Sequence, residues 1–159
     1  MIRLGTSADL DELHCLARLV VKNLKDNGID QWSDSYPSRD DFAMDINRNA
    51  LFVVDLDKTI VGSITVLPEN EKFYHEVEWD CTDAYVVHRL MVSPDHHRMG
   101  IGTELFRHAI SYTTSHHKKA LKVDTHPDNF RMQALICSLG FKYRGYIPSI
   151  NRQGYELQF

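Results

Sequence analysis

The chain has 159 residues, of which 43% are hydrophobic and 25% are charged, and its formal net charge is −4. A chain of this length can bury one core of its own, so we expect a single domain over residues 1–159. The mildly acidic balance excludes general nucleic-acid binding, which depends on a basic surface.

The cysteines and the N-terminal sequence argue against further classes of protein, namely metal-binding, secreted and membrane proteins. Cys15, Cys81 and Cys137 are far apart and have no metal-ligand spacing, which favours free thiols and no metal site. The chain starts without a signal-peptide pattern, and no apolar run reaches the ~18 residues that span a bilayer. We therefore expect a cytoplasmic protein without a membrane partner.

The first half of the chain predicts two helices and a strand hairpin. A strand at Ile2–Leu4 precedes polar residues with N-capping chemistry, and apolar residues recur at helical spacing from Leu10 until Asn27-Gly28 ends the helix. A short helix should follow, and then two strands joined at Asp57-Lys58. These elements are predicted at about Arg39–Asn47, Leu51–Val54 and Ile60–Leu67.

The second half predicts a parallel crossover unit. Residues 69–83 are charged and show no assignable pattern, whereas Ala84–Val92 predicts a buried strand. A helix from Gly100 to about His116 and a strand at Ala120–Thr125 follow, and this order gives two parallel neighbours. The last predicted elements are a helix at Asn129–Leu139 ended by Gly140 and strands at Phe141–Ile147 and Tyr155–Phe159.

A glycine-containing turn lies between the buried strand and the next helix. Its sequence is His97-Arg98-Met99-Gly100-Ile101-Gly102-Thr103. Two glycines allow a tight turn, and the first N–H groups of a helix have no intrahelical partner, so the segment predicts an anion site. It matches neither a Walker A loop nor GxGxxG, and taken alone it is equally typical of a merely tight turn.

Two blocks together resemble the GNAT superfamily of N-acetyltransferases. The first is the strand Val86–Val92 followed by His97-x-x-Gly100-x-Gly102, and the second is Asp124–Asn129 followed by Leu139-Gly140-Phe141. The order of elements fits over almost the whole chain, although the specific motifs cover only Arg89–Phe141. The resemblance implies an α/β fold: a mixed, mostly antiparallel sheet with a central splayed pair of parallel strands and about four helices.

The resemblance also implies acetyl-CoA as co-substrate, with no metal. Leu90, Met91 and Val92 would pair their backbone with the pantetheine arm, residues 98–103 would bind the pyrophosphate, and Asn129 would reach the pantetheine or the thioester. His97 stands where the family usually has Arg or Gln, so its contribution depends on pH.

Amide formation from a thioester needs a neutral amine, and a free alkyl amine has a pKa of about 10.4. His88 is the candidate base: alternation along the strand places it on one face with Val86, where some family members carry Glu. A structural histidine is the alternative. Ile136 stands where the family often has a proton-donating Tyr, so Tyr143 becomes the candidate acid. Cys137 as a covalent nucleophile is a weaker alternative.

Aromatic residues and charge indicate the acceptor. Trp32, Tyr36, Trp79 and Tyr85 are candidates for an amine-binding wall, with core packing as the alternative. Residues 26–45 and 69–83 together sum to −10, whereas residues 89–131 sum to +3. An acidic mouth would favour a cationic amine, although a solvated acidic face explains the same pattern.

The resulting prediction is acetyl transfer from acetyl-CoA to a primary amine, by direct attack in a ternary complex. The acceptor would be a small-molecule amine or a peptide amine, and small cationic amines are favoured. A homodimer is left open. The alternative is a non-catalytic acyl-CoA-binding module that regulates a partner, because neither Val86 nor Ile136 can perform proton transfer.

Overall fold

The computed structural model describes residues 1–159 and contains seven strands and four helices. The strands are β1 (Ile2–Leu4), β2 (Leu51–Leu56), β3 (Thr59–Pro68), β4 (Ala84–Val92), β5 (Ala120–Thr125), β6 (Lys142–Ile147) and β7 (Arg152–Gln158). The helices are α1 (Leu10–Asp26), α2 (Arg39–Asn47), α3 (Ile101–Ser115) and α4 (Phe130–Ser138). The sheet order is β1-β2-β3-β4-β5-β7-β6, and β4 and β5 are parallel. The predicted fold class is confirmed.

Local chemistry explains most element boundaries. Ser38 and Asp41 form a reciprocal cap at the start of α2: the Ser38 backbone N–H donates to the Asp41 carboxylate (2.7 Å), and the Asp41 N–H donates to the Ser38 hydroxyl (3.2 Å). Gly28 follows α1 in the left-handed region, with a φ of 72°. Asp57 and Lys58 both take positive φ, as the tight turn between β2 and β3 requires.

One boundary was predicted wrongly. The last strand was expected to begin at Tyr155. In the structure the turn is complete at Asn151, whose φ is 53°, and β7 begins at Arg152. Pairing with β5 and β6 stabilises this polar segment as a strand, because Gln153 lies opposite Thr125 on one side and Tyr146 on the other.

The chain divides into two compact units. The first consists of Met1–Val66 and His88–His108, and the second of Leu67–Val87 and Ala109–Phe159. The expectation of a single domain stays a prediction. No helix is both long and apolar enough to cross a bilayer.

The first unit packs helices on both faces of its strands. One core joins α1, α2 and the strands through these residues: Leu13, Leu16, Ala17, Phe42, Leu51, Val53, Ile60 and Met91. Phe52 lies between Leu51 and Val53 in β2, and its ring packs against His108 of α3 with centroids 4.4 Å apart. Because neighbouring strand residues point to opposite faces, α3 packs on the face opposite α1 and α2.

In the second unit, residues 69–83, which showed no assignable sequence pattern, pack over the strands. Residues 69–83 contribute Tyr74, Val77 and Trp79 to a small core that also contains Val86 and Ile147. The Trp79 indole N–H donates to the Tyr74 carbonyl at 2.7 Å, and the two rings lie 4.8 Å apart. Gly154 makes room for Trp79, because a β-carbon there would lie 2.8 Å from the indole ring.

The parallel pair β4–β5 is joined only over its first residues. Ala84, Tyr85 and Val86 pair with Ala120, Leu121 and Lys122. β5 continues to Thr125 and stays paired with β7 over that length. The parallel pairing of β4 and β5 thus ends at Val86 and Lys122. The splaying of the two strands beyond that point stays a prediction.

Candidate active site

The turn before α3 has the backbone geometry of an anion site. Arg98 and Gly100 both take positive φ, 65° and 78°, immediately before α3 begins at Ile101. Arg98, Met99 and Gly100 are exposed, and the Met99 side chain is 58% accessible. Alternation of right- and left-handed residues turns successive N–H groups toward one side, and the helix dipole adds positive potential there. A phosphate-sized anion could therefore accept hydrogen bonds from the backbone N–H groups of this turn, and Arg98 supplies a cation in the same segment.

Close packing on β3 fixes the start of α3. A β-carbon on Gly62 would lie 3.0 Å from the Ile101 side chain, 3.1 Å from the Met91 carbonyl and 3.2 Å from Leu105. The Ser93 N–H donates to the Val61 carbonyl at 2.8 Å, which holds the chain where it leaves β4. The position of the anion-binding turn therefore depends on the absence of a side chain at Gly62.

β4 is interrupted at Arg89. This residue takes a φ of 49°, and its guanidinium donates two hydrogen bonds to the Asp45 carboxylate, at 2.7 and 2.6 Å. Asp45 is 1% accessible and also accepts from the Thr65 hydroxyl at 2.8 Å. Arg89 is thus a paired charge, as a cation in a buried strand must be. The left-handed conformation of Arg89 interrupts the alternation of side chains along β4. The shared face of Val86 and His88 lies before this residue and stays a prediction.

His88 lies beside this interruption. Burial, together with the positive charges of Arg89 and Arg48, lowers the pKa of His88 to about 4. The imidazole is therefore neutral over the whole physiological range, and it is a weak base compared with one whose pKa lies near 7. Its role as the catalytic base stays a prediction.

Trp32 and Tyr36 lie together, whereas the other two predicted acceptor residues do not. The Trp32 and Tyr36 rings meet edge to face at 6.5 Å, and the Tyr36 hydroxyl accepts from Arg89 at 3.2 Å. Trp79 packs on Tyr74. Tyr85 packs against Tyr112 and His116 with centroids 6.0 and 5.8 Å apart. An acceptor-binding role for each of the four stays a prediction.

The predicted acid, Tyr143, lies on the edge strand β6. Its side chain is 54% accessible, and its hydroxyl donates to Gln153 at 2.6 Å. Ile136 is fully buried. Asn129 caps α4, because its side-chain oxygen accepts from the Met132 N–H at 3.2 Å. The proposed roles of Tyr143 in proton transfer and of Asn129 in cofactor binding remain predictions.

Sequence reasoning missed a pair of buried proton-carrying groups in the second unit. The Tyr74 hydroxyl donates to Asp124 Oδ2 at 2.5 Å. Burial raises the pKa of Asp124, and the Tyr74 hydrogen bond and the charge of Arg152 oppose part of that rise. Burial and the Asp124 charge also raise the pKa of Tyr74 well above its ordinary value. No sequence signal linked the two, because Tyr74 lies in the segment without a pattern.

A strand that leads through a turn with positive φ values into the start of a helix is the arrangement that the family resemblance predicted. Residues 18–141 match the model of the acetyltransferase (GNAT) family, and the chain belongs to that family. Like its family, it is an enzyme that transfers an acetyl group from acetyl-CoA. No group of three or more His, Cys, Asp or Glu is placed to hold a metal ion.

Solved structures show the same fold. A GNAT-family acetyltransferase from Streptococcus agalactiae 2603 superposes with a TM-score of 0.90 at 24% identity, covering 100% of this chain and 95% of that one. The PaiA N-acetyltransferase of Thermoplasma acidophilum, solved in complex with coenzyme A, gives 0.79 at 18% identity, with 100% and 98% covered. A ribosomal-protein-alanine N-acetyltransferase from Brucella melitensis gives 0.76 at 18%, with 100% and 99% covered. Comparison with curated proteins gives no significant match.

Proposed function

We propose that the protein transfers the acetyl group of acetyl-CoA to a primary amine, by direct attack in a ternary complex. The observation that carries the proposal is the turn at Arg98–Gly100, where positive φ values and the start of α3 present N–H donors on an exposed surface. The pyrophosphate would bind there, with Arg98 adding charge and His97 a ring N–H donor, and the pantetheine arm would run along Leu90–Val92. This set of donors fits a diphosphate because it combines backbone amides with a cation.

Attack requires a neutral amine held against the thioester. The side chains of this chain then have three tasks: to orient the amine, to receive its proton and to exclude water. Tyr36 and Trp32 are the proposed orienting surface in the first unit. Proton transfer is assigned by sequence to His88 and Tyr143. The free cysteines at positions 15, 81 and 137 fit the cytoplasmic location that belongs to the same proposal.

The rival function is acyl-CoA binding without turnover, and Ile136 favours it. This fully buried aliphatic residue stands where a proton donor would assist the leaving thiolate. Its presence means that the thiolate must leave unassisted or receive a proton from elsewhere.

Free-thiol release from acetyl-CoA separates the two functions. The enzyme would be incubated with acetyl-CoA and a panel of polyamines, amino acids, peptides and simple alkylamines, and CoA affinity would be measured in parallel by calorimetry. Amine-dependent thiol release supports transfer. Tight CoA binding with no release above the rate without amine would instead establish the binding module.

A further inference from the structure

A series of hydrogen bonds runs from the core of the first unit to a half-exposed tyrosine. The buried carboxylate of Asp45 accepts from the Thr65 hydroxyl and from the Arg89 guanidinium. The remaining Arg89 nitrogen, Nη1, donates to the Tyr36 hydroxyl at 3.2 Å. Tyr36 is 40% accessible. The series therefore ends on a hydroxyl that a ligand can reach from solvent.

The Tyr36 hydroxyl is arranged unlike those of most other tyrosines in the chain. Four of the others donate their proton to an acceptor side chain: Tyr74, Tyr143, Tyr146 and Tyr155. The Tyr36 oxygen instead accepts from Arg89, and its own O–H donates to no other group of the chain. Because a phenol oxygen can accept one hydrogen bond and still donate another, the Tyr36 proton is available to a ligand.

Backbone contacts hold Tyr36 in place. The Ser33 N–H donates to the Tyr36 carbonyl at 3.0 Å, and the Tyr36 N–H donates to the Ser33 carbonyl at 3.3 Å. Arg18 of α1 donates to the carbonyls of Ser33 and Pro37, at 3.0 and 2.5 Å. The Trp32 ring supports the Tyr36 ring edge to face. The phenol is thus fixed at its backbone, ring and oxygen, which is the preorganisation that a proton-transferring group needs.

The hydroxyl lies at one end of the strand segment proposed to hold the pantetheine arm. Arg89, which binds the Tyr36 oxygen, directly precedes Leu90–Val92 in β4, and the anion-binding turn follows those residues at the opposite end. An arm that runs from the turn along Leu90–Val92 therefore ends beside Arg89, with its thioester toward the Tyr36 hydroxyl. All of these residues belong to the first unit, Met1–Val66 and His88–His108.

We propose that Tyr36 donates its proton to the sulfur of the leaving CoA, and that Arg89, anchored by Asp45, positions this hydroxyl. The role rests on the proposed amine acetylation. As the neutral amine forms the C–N bond, the C–S bond breaks and its electron pair goes to sulfur, which takes the Tyr36 proton. The phenolate that remains accepts a hydrogen bond from Arg89. It regains a proton from the acetylated nitrogen, directly or through solvent.

The network has two properties that suit proton donation. The Arg89 guanidinium faces the oxygen on which negative charge appears during the transfer, and a cation placed there beforehand stabilises that charge without rearrangement. The bonds of 2.7 and 2.6 Å to Asp45 keep the guanidinium from turning away. An ion pair that served the fold alone would be complete with Asp45. Its extension to a half-exposed phenol provides the donor that Ile136 cannot be.

The test compares the wild type with Tyr36→Phe, Arg89→Lys, the double variant and Tyr146→Phe. Phenylalanine keeps the ring that meets Trp32 and removes only the hydroxyl. Tyr146 is the matched control, because it is 42% accessible and its hydroxyl also binds one side chain. Each variant would be assayed for kcat and KM with the amine that the wild type uses best. Calorimetry would measure the binding of CoA and of desulfo-CoA, which lacks the sulfur, and thermal unfolding would report folding.

Tyr36→Phe should lower kcat by about 10²-fold or more and change the KM for the amine by less than about threefold. The wild type should bind CoA about 2–10-fold more tightly than desulfo-CoA, as one hydrogen bond to the sulfur gives, and Tyr36→Phe should bind both equally. Arg89→Lys keeps the charge but loses the planar fork that holds Asp45 and Tyr36 together. It should therefore lower kcat in the wild-type background and change little in Tyr36→Phe. Tyr146→Phe should behave as the wild type.

The opposite results each count against a definite claim. A folded Tyr36→Phe enzyme with kcat within about threefold of the wild type overturns proton donation by Tyr36 and leaves amine acetylation intact. A higher KM for the amine at unchanged kcat has the same consequence, because Tyr36 is then only a wall of the acceptor site. Equal binding of CoA and desulfo-CoA by the wild type overturns the contact with sulfur.

Two outcomes concern Arg89 and the proposed function itself. Additive losses in the double variant overturn the positioning role of Arg89. If Arg89→Lys does not fold, the comparison of CoA with desulfo-CoA in Tyr36→Phe decides the proposal. A wild-type protein that binds CoA and acetylates no amine overturns the proposed function, and proton donation by Tyr36 fails with it.

Discussion

Gly62→Ala should destabilise the protein and weaken CoA binding together. The new methyl group would lie 3.0–3.2 Å from Ile101, Met91 and Leu105, whereas carbon atoms prefer separations of about 3.5–4.0 Å. Two of these contacts are with side chains of α3 and one is with a backbone carbonyl, so the Ile101 and Leu105 side chains must give way or the start of α3 must shift. Overpacking of this kind costs about 1–3 kcal/mol, which lowers Tm by about 2–12 °C in a chain of this size.

The same shift would displace the anion-binding turn. We expect the Kd for CoA to rise by at least about threefold, which corresponds to about 0.7 kcal/mol. Differential scanning calorimetry and isothermal titration measure the two effects. Gly28→Ala is the matched control: its φ is 72° and its β-carbon would meet nothing within 4 Å, so it adds backbone strain of about 1 kcal/mol without a steric clash. Unchanged CoA affinity in a destabilised Gly62→Ala protein would refute the link between β3 packing and the turn.

Three further predictions concern the site. Gly102→Val should fold but lose most CoA affinity, because the side chain would occupy the space of the pyrophosphate; calorimetric titration with unchanged affinity would disprove the phosphate site. His88 should show no titration between pH 5 and 8, because its pKa is about 4. If it were the base, His88→Ala would lower kcat by about 10²–10⁴-fold with partial rescue at high pH; we expect a smaller loss, because the buried imidazole is a weak base. Cationic amines should be preferred over carboxylate-bearing ones of similar size, with an apparent KM that rises with salt; equal kcat/KM for both classes at every salt concentration would contradict this.

The sequence predicted the elements well because their signals are local. The apolar stripe that starts at Leu10 and the glycines at positions 28 and 140 act within one or two helical turns, so they can be recognised without the fold. Residues 69–83 could not be assigned because their structure depends on partners elsewhere in the second unit. Trp79 meets Gly154, and Glu156 accepts from the N–H groups at Asp80 and Cys81.

The candidate site likewise has some features that the sequence predicts and others that depend on contacts between distant residues. The anion-binding turn depends on glycine conformations and a helix start, which the sequence displays directly. Arg89 is a cation in a strand predicted to be buried and therefore needs a partner, yet Asp45 and Thr65 could not be identified by spacing. The left-handed conformation of Arg89 was also unforeseen, because neither a glycine nor an asparagine marks it. The Tyr74–Asp124 contact joins residues 50 positions apart, and no local pattern predicts such a pair.

The charge summed along the two acidic segments overstates the negative electrostatic field that an acceptor amine would meet. Six of the twelve acidic residues in the two acidic segments have a basic partner outside those segments: Asp26, Asp34, Asp45, Glu69, Asp80 and Asp83. With these six partners included, the sum changes from −10 to −4. Long-range steering by what remains is screened beyond about 8 Å at physiological salt. A carboxylate in direct contact with the amine is screened far less, so any preference for cationic amines that persists at high salt must come from contact within the site.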